Sequence, residues 1–192
     1  MSLDERRRHE QEKYRRIFSG AEGEDSRASY LRGCHGCEAL PLIERLAPRS
    51  VIDIGCAGGV FPRLLHERGI RPVTGVDFVL PDTAAPAPGL SFVEAPAHAT
   101  GLETVDMVTS FDMLEHLLPE EVDEVLREFR RLARRWVLVS ICYRPSRRTA
   151  MGEGLHMTVR SEKWWMARLQ AAFGVAPRRR GPYLFLEMEG AR

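Results

Sequence analysis

The segment Ser50-Val-Ile-Asp-Ile-Gly-Cys-Ala-Gly-Gly-Val60 constrains the fold of this chain more than any other stretch. A short β-branched apolar run passes into a glycine-rich turn and then into a helical pattern beginning near Phe61-Pro62. That order describes a buried parallel strand whose carboxyl end presents backbone N–H groups and a helix start to a ligand. Further on, Pro72-Val-Thr-Gly-Val-Asp77-Phe78 reads as a second strand ending in an acid. An acid placed there can accept hydrogen bonds from both ribose hydroxyls of a nucleoside, so a nucleotide-like cofactor is the first implication.

The glycine spacing separates cofactor classes. A dinucleotide fingerprint reads G-x-G-x-x-G because two phosphates must approach the backbone at the helix start. Here the order is Asp53-x-Gly55-x-Ala57-x-Gly59, with the last glycine one residue early and an acid two residues before the first. Such a loop suits a cofactor without pyrophosphate. The segment resembles motif I of the class I S-adenosylmethionine-dependent methyltransferases, with Ala57 where most members carry a glycine. Asp106-Met-Val-Thr-Ser-Phe-Asp-Met-Leu-Glu-His-Leu117 resembles the fourth strand of that family and the turn after it.

The resemblance covers roughly residues 38 to 190. It implies a Rossmann-like α/β fold: a seven-stranded, mostly parallel sheet with an antiparallel last strand and helices on both faces. It implies S-adenosyl-L-methionine as cofactor, with Asp53 holding the loop and the methionine end, Gly55 and Gly59 letting the cofactor approach, and Asp77 on the ribose. Cys56, Ala57, Phe78, Phe111 and Asp112 complete the expected cofactor set. Relatives commonly place an Asp near the end of strand three for the adenine amine. Here that segment reads Phe92-Val-Glu-Ala-Pro-Ala-His98, so the amine falls to Glu94 or to backbone near Ala97 and His98.

At 192 residues the chain has the length of one domain and can bury a substantial core. Its 28 basic side chains against 27 acidic ones give no excess positive charge for nucleic-acid binding. No run of about 18 apolar residues is present and the amino terminus is charged, which points to a cytoplasmic protein without a membrane segment. Cys34-His-Gly-Cys37 has no second ligand pair for a structural zinc site, so no metal is expected and the thiols are read as reduced.

Residues 1–35 are expected to form a helical amino-terminal segment, either a solvated helix docked by its last turn or a lid, ahead of a methyltransferase domain over 36–192. The apolar face of residues 3–18 is thin: Leu3, Tyr14, Ile17 and Phe18. Gly20 to Ser29 reads as a flexible connection and Glu38 to Leu46 as a helix. Strands are expected near 50–54, 72–77, 90–94, 105–110, 136–142 and 183–188, with a weaker one near 174–179. Pro81 to Pro88 is too rich in proline for a helix. Helix 119–135 carries acids first and arginines last, matching the macrodipole, and Ser161 caps another helix that ends before Gly174.

Ligands of a parallel α/β sheet lie beyond the carboxyl ends of its strands. His116, after strand four, and His156, in the loop after strand five, are the candidate general bases, with a structural histidine bonded to backbone as the alternative for each. Tyr143, Arg144, Arg147 and Arg148 follow strand five and suit a phosphate or carboxylate on the acceptor. Trp164 offers a flat surface for a ring, since Trp164 and Trp165 cannot both face the core. The expected activity is methyl transfer to an oxygen or nitrogen of a small molecule or glycan, such as an anionic sugar or biosynthetic intermediate. A nicotinamide-dependent reductase and a noncatalytic cofactor-binding protein are the alternatives.

Overall fold

The computed structural model describes residues 1–188. Five apolar runs form parallel strands: β1 (Val51–Ile54), β2 (Val73–Asp77), β3 (Leu90–Glu94), β4 (Val105–Phe111) and β5 (Ala133–Ser140). A hairpin of β6 (Thr149–Ala150) and β7 (Glu153–Gly154) interrupts the series. Then β8 (Arg178–Arg180) pairs antiparallel with β9 (Tyr183–Glu187), itself antiparallel to β5. The seven-stranded sheet has the order β3-β2-β1-β4-β5-β9-β8. That order reverses at the β1/β4 boundary, which opens a crevice at the carboxyl ends of these strands.

Every residue of β1 is buried because helices cover both faces of the sheet. On one face α5 (Val122–Leu132) and α6 (Glu162–Phe173) set Leu126, Phe129, Trp165 and Leu169 against Ile52, Val108 and Val137. On the other, α3 (Leu40–Leu46) and α4 (Val60–Glu67) set Ile43, Phe61 and Leu65 against Val51, Met107 and Leu138. In α5 the buried residues Val122, Val125, Leu126, Phe129 and Leu132 recur at helical spacing, and Arg130 and Arg131 lie in the last turn. Residues 78–89 join β2 to β3 without a helix, as the prolines dictate. Among the described residues no helix is long and apolar enough to cross a membrane.

Several expectations need correction. The fifth strand starts at Ala133 rather than Trp136, because Ala133 turns extended (φ −83°, ψ 116°) and pairs with Val105; α5 therefore stops short of 135. The same strand ends at Ser140, so Cys142 lies in the loop beyond it and not inside a buried strand. Within the supposed flexible stretch 20–29, a helix α2 (Glu24–Arg32) begins with two acids in its first turn. It is held down where the Gly58 N–H donates to the Tyr30 carbonyl at 3.3 Å. Cys34 and Cys37 form a disulfide, with Cα atoms 5.6 Å apart, and not a pair of free thiols. The residues 189–192 counted in the 36–192 domain lie outside the described residues.

The amino-terminal helix α1 (Leu3–Ser19) opens with a capping box between Ser2 and Glu5 and closes at Gly20 in the left-handed conformation. It docks along two of its turns and not by the last alone: Glu10, Lys13, Tyr14, Ile17 and Phe18 are all buried. Tyr14, Ile17 and Phe18 form a third apolar cluster with Val79, Ala150 and Leu155. Arg6 and Arg7 add ion pairs to Glu120, Glu121 and Glu124 at the start of α5. The helix thus lies across the crevice.

Candidate active site

The carboxyl ends of β1 to β5 face a cavity of about 650 Å³ roofed by α1 and α2. Its floor is the glycine loop. Gly55 and Cys56 donate their N–H groups to the Val76 carbonyl at 2.8 and 3.0 Å, and the Ala57 N–H donates to Asp77 Oδ2 at 2.8 Å. The acid that ends β2 therefore ties the loop to its neighbour strand. Burial pushes the Asp77 carboxyl up to about 6, against the opposing pull of the Ala57, Val79 and Phe78 N–H groups. Burial likewise raises Asp53 to about 7, although Thr109 Oγ1 donates to it at 2.7 Å across the β1/β4 boundary. Hydroxyl donors of a nucleoside and the cationic amine of an amino acid would relieve both acids.

Gly55 has φ +81°, and a Cβ added there would run into Met113. Ala57 itself sits at φ +45°, a conformation L-residues adopt at a cost. Gly59, expected to admit the cofactor, does not line the cavity; it caps α4 at φ +73° and leaves room for the Phe92 ring. Its glycine is required by packing. Cys56, Ala57, Phe78, Phe111 and Asp112 all line the cavity. Phe78 holds α1 through its carbonyl, which accepts from Gln11 Nε2 at 2.5 Å. Asp112 (φ +48°) accepts from Ser140 Oγ at 2.7 Å and pairs with His35 Nδ1 at 2.9 Å. At the end of β3, Glu94 lines the cavity in register with Asp77, with Leu80 N–H on its Oε2 at 3.0 Å. An acid is thus present on the cavity wall at the end of β3.

Both candidate histidines reach the cavity, their rings edge to face with centroids 4.7 Å apart. The Nδ1 of His116 lies 2.9 Å from the Leu155 carbonyl, so that nitrogen carries the proton; Tyr14 Oη is 2.5 Å from it. Burial, and then His156, hold the His116 pKa down at about 3. A neutral imidazole that resists protonation this strongly is suited to accept a hydrogen bond more than to carry a proton away. His156 donates from Nδ1 to the Arg144 carbonyl at 2.6 Å, which leaves its Nε2 lone pair free.

Of the residues expected on the acceptor side, Arg147 and Arg148 line the cavity. Arg144 does not; it contributes only its carbonyl, to His156. Tyr143 also misses the cavity, packing on the α5/α6 core, and Trp164 lies on α6 between the guanidiniums of Arg160 and Arg168. Arg178 and Arg179 pair with Glu187 and Glu162. Tyr14, Tyr30 and Glu115 line the cavity without having been singled out as site residues. Only Glu115 had a visible signal, as the acid within the Leu-Glu-His-Leu run.

Strand order, reversed last pair and a glycine loop at the switch point tied to the acid that ends the neighbouring strand β2 define a class I methyltransferase architecture. Residues 28–180 match the family described as "Methyltransferase domain", and the chain belongs to that family. A 2-ketoarginine methyltransferase of Streptomyces arginensis is 29% identical over 143 residues, a stretch covering 64% of this chain and 42% of that protein. The chain thus matches less than half the length of that relative. The Burkholderia thailandensis 1,6-didemethyltoxoflavin-N1-methyltransferase, solved with 1,6-didemethyltoxoflavin and S-adenosylhomocysteine, superposes with TM-score 0.72 at 20% identity over 94% of this chain and 89% of its own. Magnesium protoporphyrin IX methyltransferase from Synechocystis PCC 6803, solved with S-adenosylhomocysteine, gives 0.63 at 18% identity over 93% and 94%.

Proposed function

We propose that this chain transfers a methyl group from S-adenosylmethionine to an oxygen or nitrogen of a small acceptor that carries an anionic group. The carrying observation is the division of one cavity between two chemistries: the Asp77-tethered glycine loop at one part, and Arg147 and Arg148 at another. The relative that acts on 2-ketoarginine, a keto acid, and the neighbour that acts on a small heterocycle support a small acceptor. A nicotinamide reductase fits poorly, because Gly59 is committed to Phe92 and not free for a second phosphate. Residues 1–35 act as the roof of the acceptor pocket, and the lid reading is favoured over a solvated helix.

Calorimetry tests the donor side. S-adenosylmethionine and S-adenosylhomocysteine should bind and nicotinamide dinucleotides should not. Asp77→Ala should weaken S-adenosylhomocysteine binding by about 1–3 kcal/mol through lost charged hydrogen bonds. Since the ribose needs the carboxylate and Asp77 protonates near 6 in the free protein, affinity should fall as pH drops from 7 to 5, approaching tenfold per unit below 6. An affinity flat across that range, or unchanged in the variant, would place the ribose elsewhere.

For the acceptor side, Arg147→Ala combined with Arg148→Ala should raise acceptor KM about tenfold at low salt, the loss being limited by the exposure of both side chains. Cofactor affinity should stay as it was, because only acceptor binding is removed. If KM does not move, the anionic acceptor is wrong.

A further inference from the structure

We propose that Glu115, Cys142 and His156 form a transition-metal site, best matched to Zn²⁺, on the acceptor side of the cavity. One ligand atom from each residue lies within 4.8 Å of the others, and all three residues line the cavity. Tetrahedral zinc with bonds of 2.0–2.3 Å sets its ligands about 3.5 Å apart, so a contraction of about 1 Å completes the site.

The three residues are brought together by backbone bonds, not by chance proximity. Glu115 Oε1 accepts the Cys142 N–H at 3.0 Å, and the Glu115 carbonyl accepts the N–H groups of Met157 and Thr158, each at 2.9 Å. The loop after β5 and the strap carrying His156 are therefore both anchored on Glu115. The bond from His156 Nδ1 to the Arg144 carbonyl fixes the tautomer with its other nitrogen available, the usual arrangement behind a ligating imidazole. Cys142 makes only a weak contact, its Sγ 3.8 Å from the Arg144 carbonyl.

An independent observation points to a cation. Glu115 is 0% exposed, and its Oε2 has no hydrogen-bond partner among the described residues. A buried polar oxygen left without a partner is costly, and a bound cation removes the cost. The other cluster of this kind, His9, Glu10 and Glu153, already holds one: the Lys13 ammonium lies 2.8 Å from Glu10 and 2.7 Å from Glu153. Among the described residues no cationic side chain bonds Glu115 Oε2.

A thiolate, an imidazole and a carboxylate select zinc over magnesium or calcium, which prefer all-oxygen shells. Three protein ligands also leave a fourth position, as in open zinc sites. Here it faces the cavity, where it would take an oxygen, nitrogen or sulfur atom of the acceptor. That last role rests on the methyl-transfer reading; metal binding itself does not.

Cobalt(II) titration of the chelator-treated protein is the test. One equivalent should bind with tetrahedral d–d absorption and a thiolate-to-cobalt charge-transfer band, and zinc should displace it. Cys142→Ser should abolish that band, His156→Gln should weaken binding at least tenfold, and the double variant Cys34→Ser with Cys37→Ser should retain both. Absence of the band in the wild type, its persistence in Cys142→Ser, or its loss in the Cys34/Cys37 variant overturns the site. Should Cys142→Ser fail to fold by near-ultraviolet circular dichroism, unchanged cobalt affinity in His156→Gln decides against it. Calorimetry with S-adenosylhomocysteine on the metal-free protein separates the two readings: cofactor binding without cobalt binding sinks the metal site alone, and cobalt binding without cofactor binding sinks the methyl donor alone.

Discussion

A Gly55→Ala protein is expected to lose about 2–5 kcal/mol of stability and to bind S-adenosylhomocysteine at least tenfold more weakly. Two costs combine. The backbone at φ +81° is one that a Cβ penalises by about 1–2 kcal/mol. The new methyl would also collide with the Cβ and Cγ of Met113, and displacing a packed side chain costs about 1–3 kcal/mol. Because Gly55 N–H and Cys56 N–H both bond Val76, relief by moving the loop would break its tie to β2. Gly69→Ala is the control. Its φ is +83°, but nothing lies within 4 Å of the added carbon, so only the backbone cost applies. Urea denaturation of both variants isolates the collision; equal losses would show that Met113 gives way freely and that the glycine is there for conformation alone.

The central strands were legible because a strand covered on both faces becomes an uninterrupted apolar run, as Val51–Ile54 is, and needs no knowledge of its partners. The presence of α5 was legible from its charge order, although its first helical residue is Val122 and not Pro119, and the loop over 81–88 was legible from proline. Legibility failed where tertiary pairing decided. Ala133 has no strand signal of its own and is drawn into β5 by Val105. Within the site, the glycine loop could be read because its backbone conformation favours glycine, and Asp77 because it is the acid that ends the strand after that loop. Arg144 and Arg147 could not be told apart: the direction in which each leaves the loop is set by His156 binding the Arg144 carbonyl, a contact between residues twelve apart. Of the two adjacent tryptophans Trp165 packs inward and Trp164 does not, as the spacing requires, but where α6 lies relative to the cavity is set by packing on α5, and it keeps Trp164 off the cavity wall. Cys34 and Cys37 carry no local signal that separates a disulfide from two thiols.

Lys13 is the sharpest case of that failure and yields the second large expected effect. One of only two lysines in the chain, it lies on what reads as the polar side of a charged helix, yet its side chain is 0% exposed. Lys13→Ala should destabilise the protein by about 3 kcal/mol, the low end for breaking a buried pair, because Glu153 is half exposed and can return to water. Glu10 cannot: it is buried, and its Oε2 already lacks a partner among the described residues. Burial acts to lower the lysine pKa, but Glu10 and Glu153 outweigh it and hold it above its ordinary 10.5. This contribution is therefore complete below that pH and is lost only as pH climbs past the raised value. Glu153, held below 4.5 by Lys13, loses its share only as pH falls through its lowered value. Between those limits pH should not mimic the substitution. The damage should concentrate on α1, whose Tyr14 meets His116 and whose Gln11 holds the Phe78 carbonyl. Hydrogen exchange of α1 amides should accelerate while those of β1 and β4 stay protected. Pairing Lys13→Met with Glu10→Leu should recover most of the stability, since apolar replacement of a buried pair is often neutral or better. If α1 exchanges no faster in Lys13→Ala and stability stays within about 0.5 kcal/mol, the roof over the cavity is held by Tyr14, Ile17 and Phe18 alone.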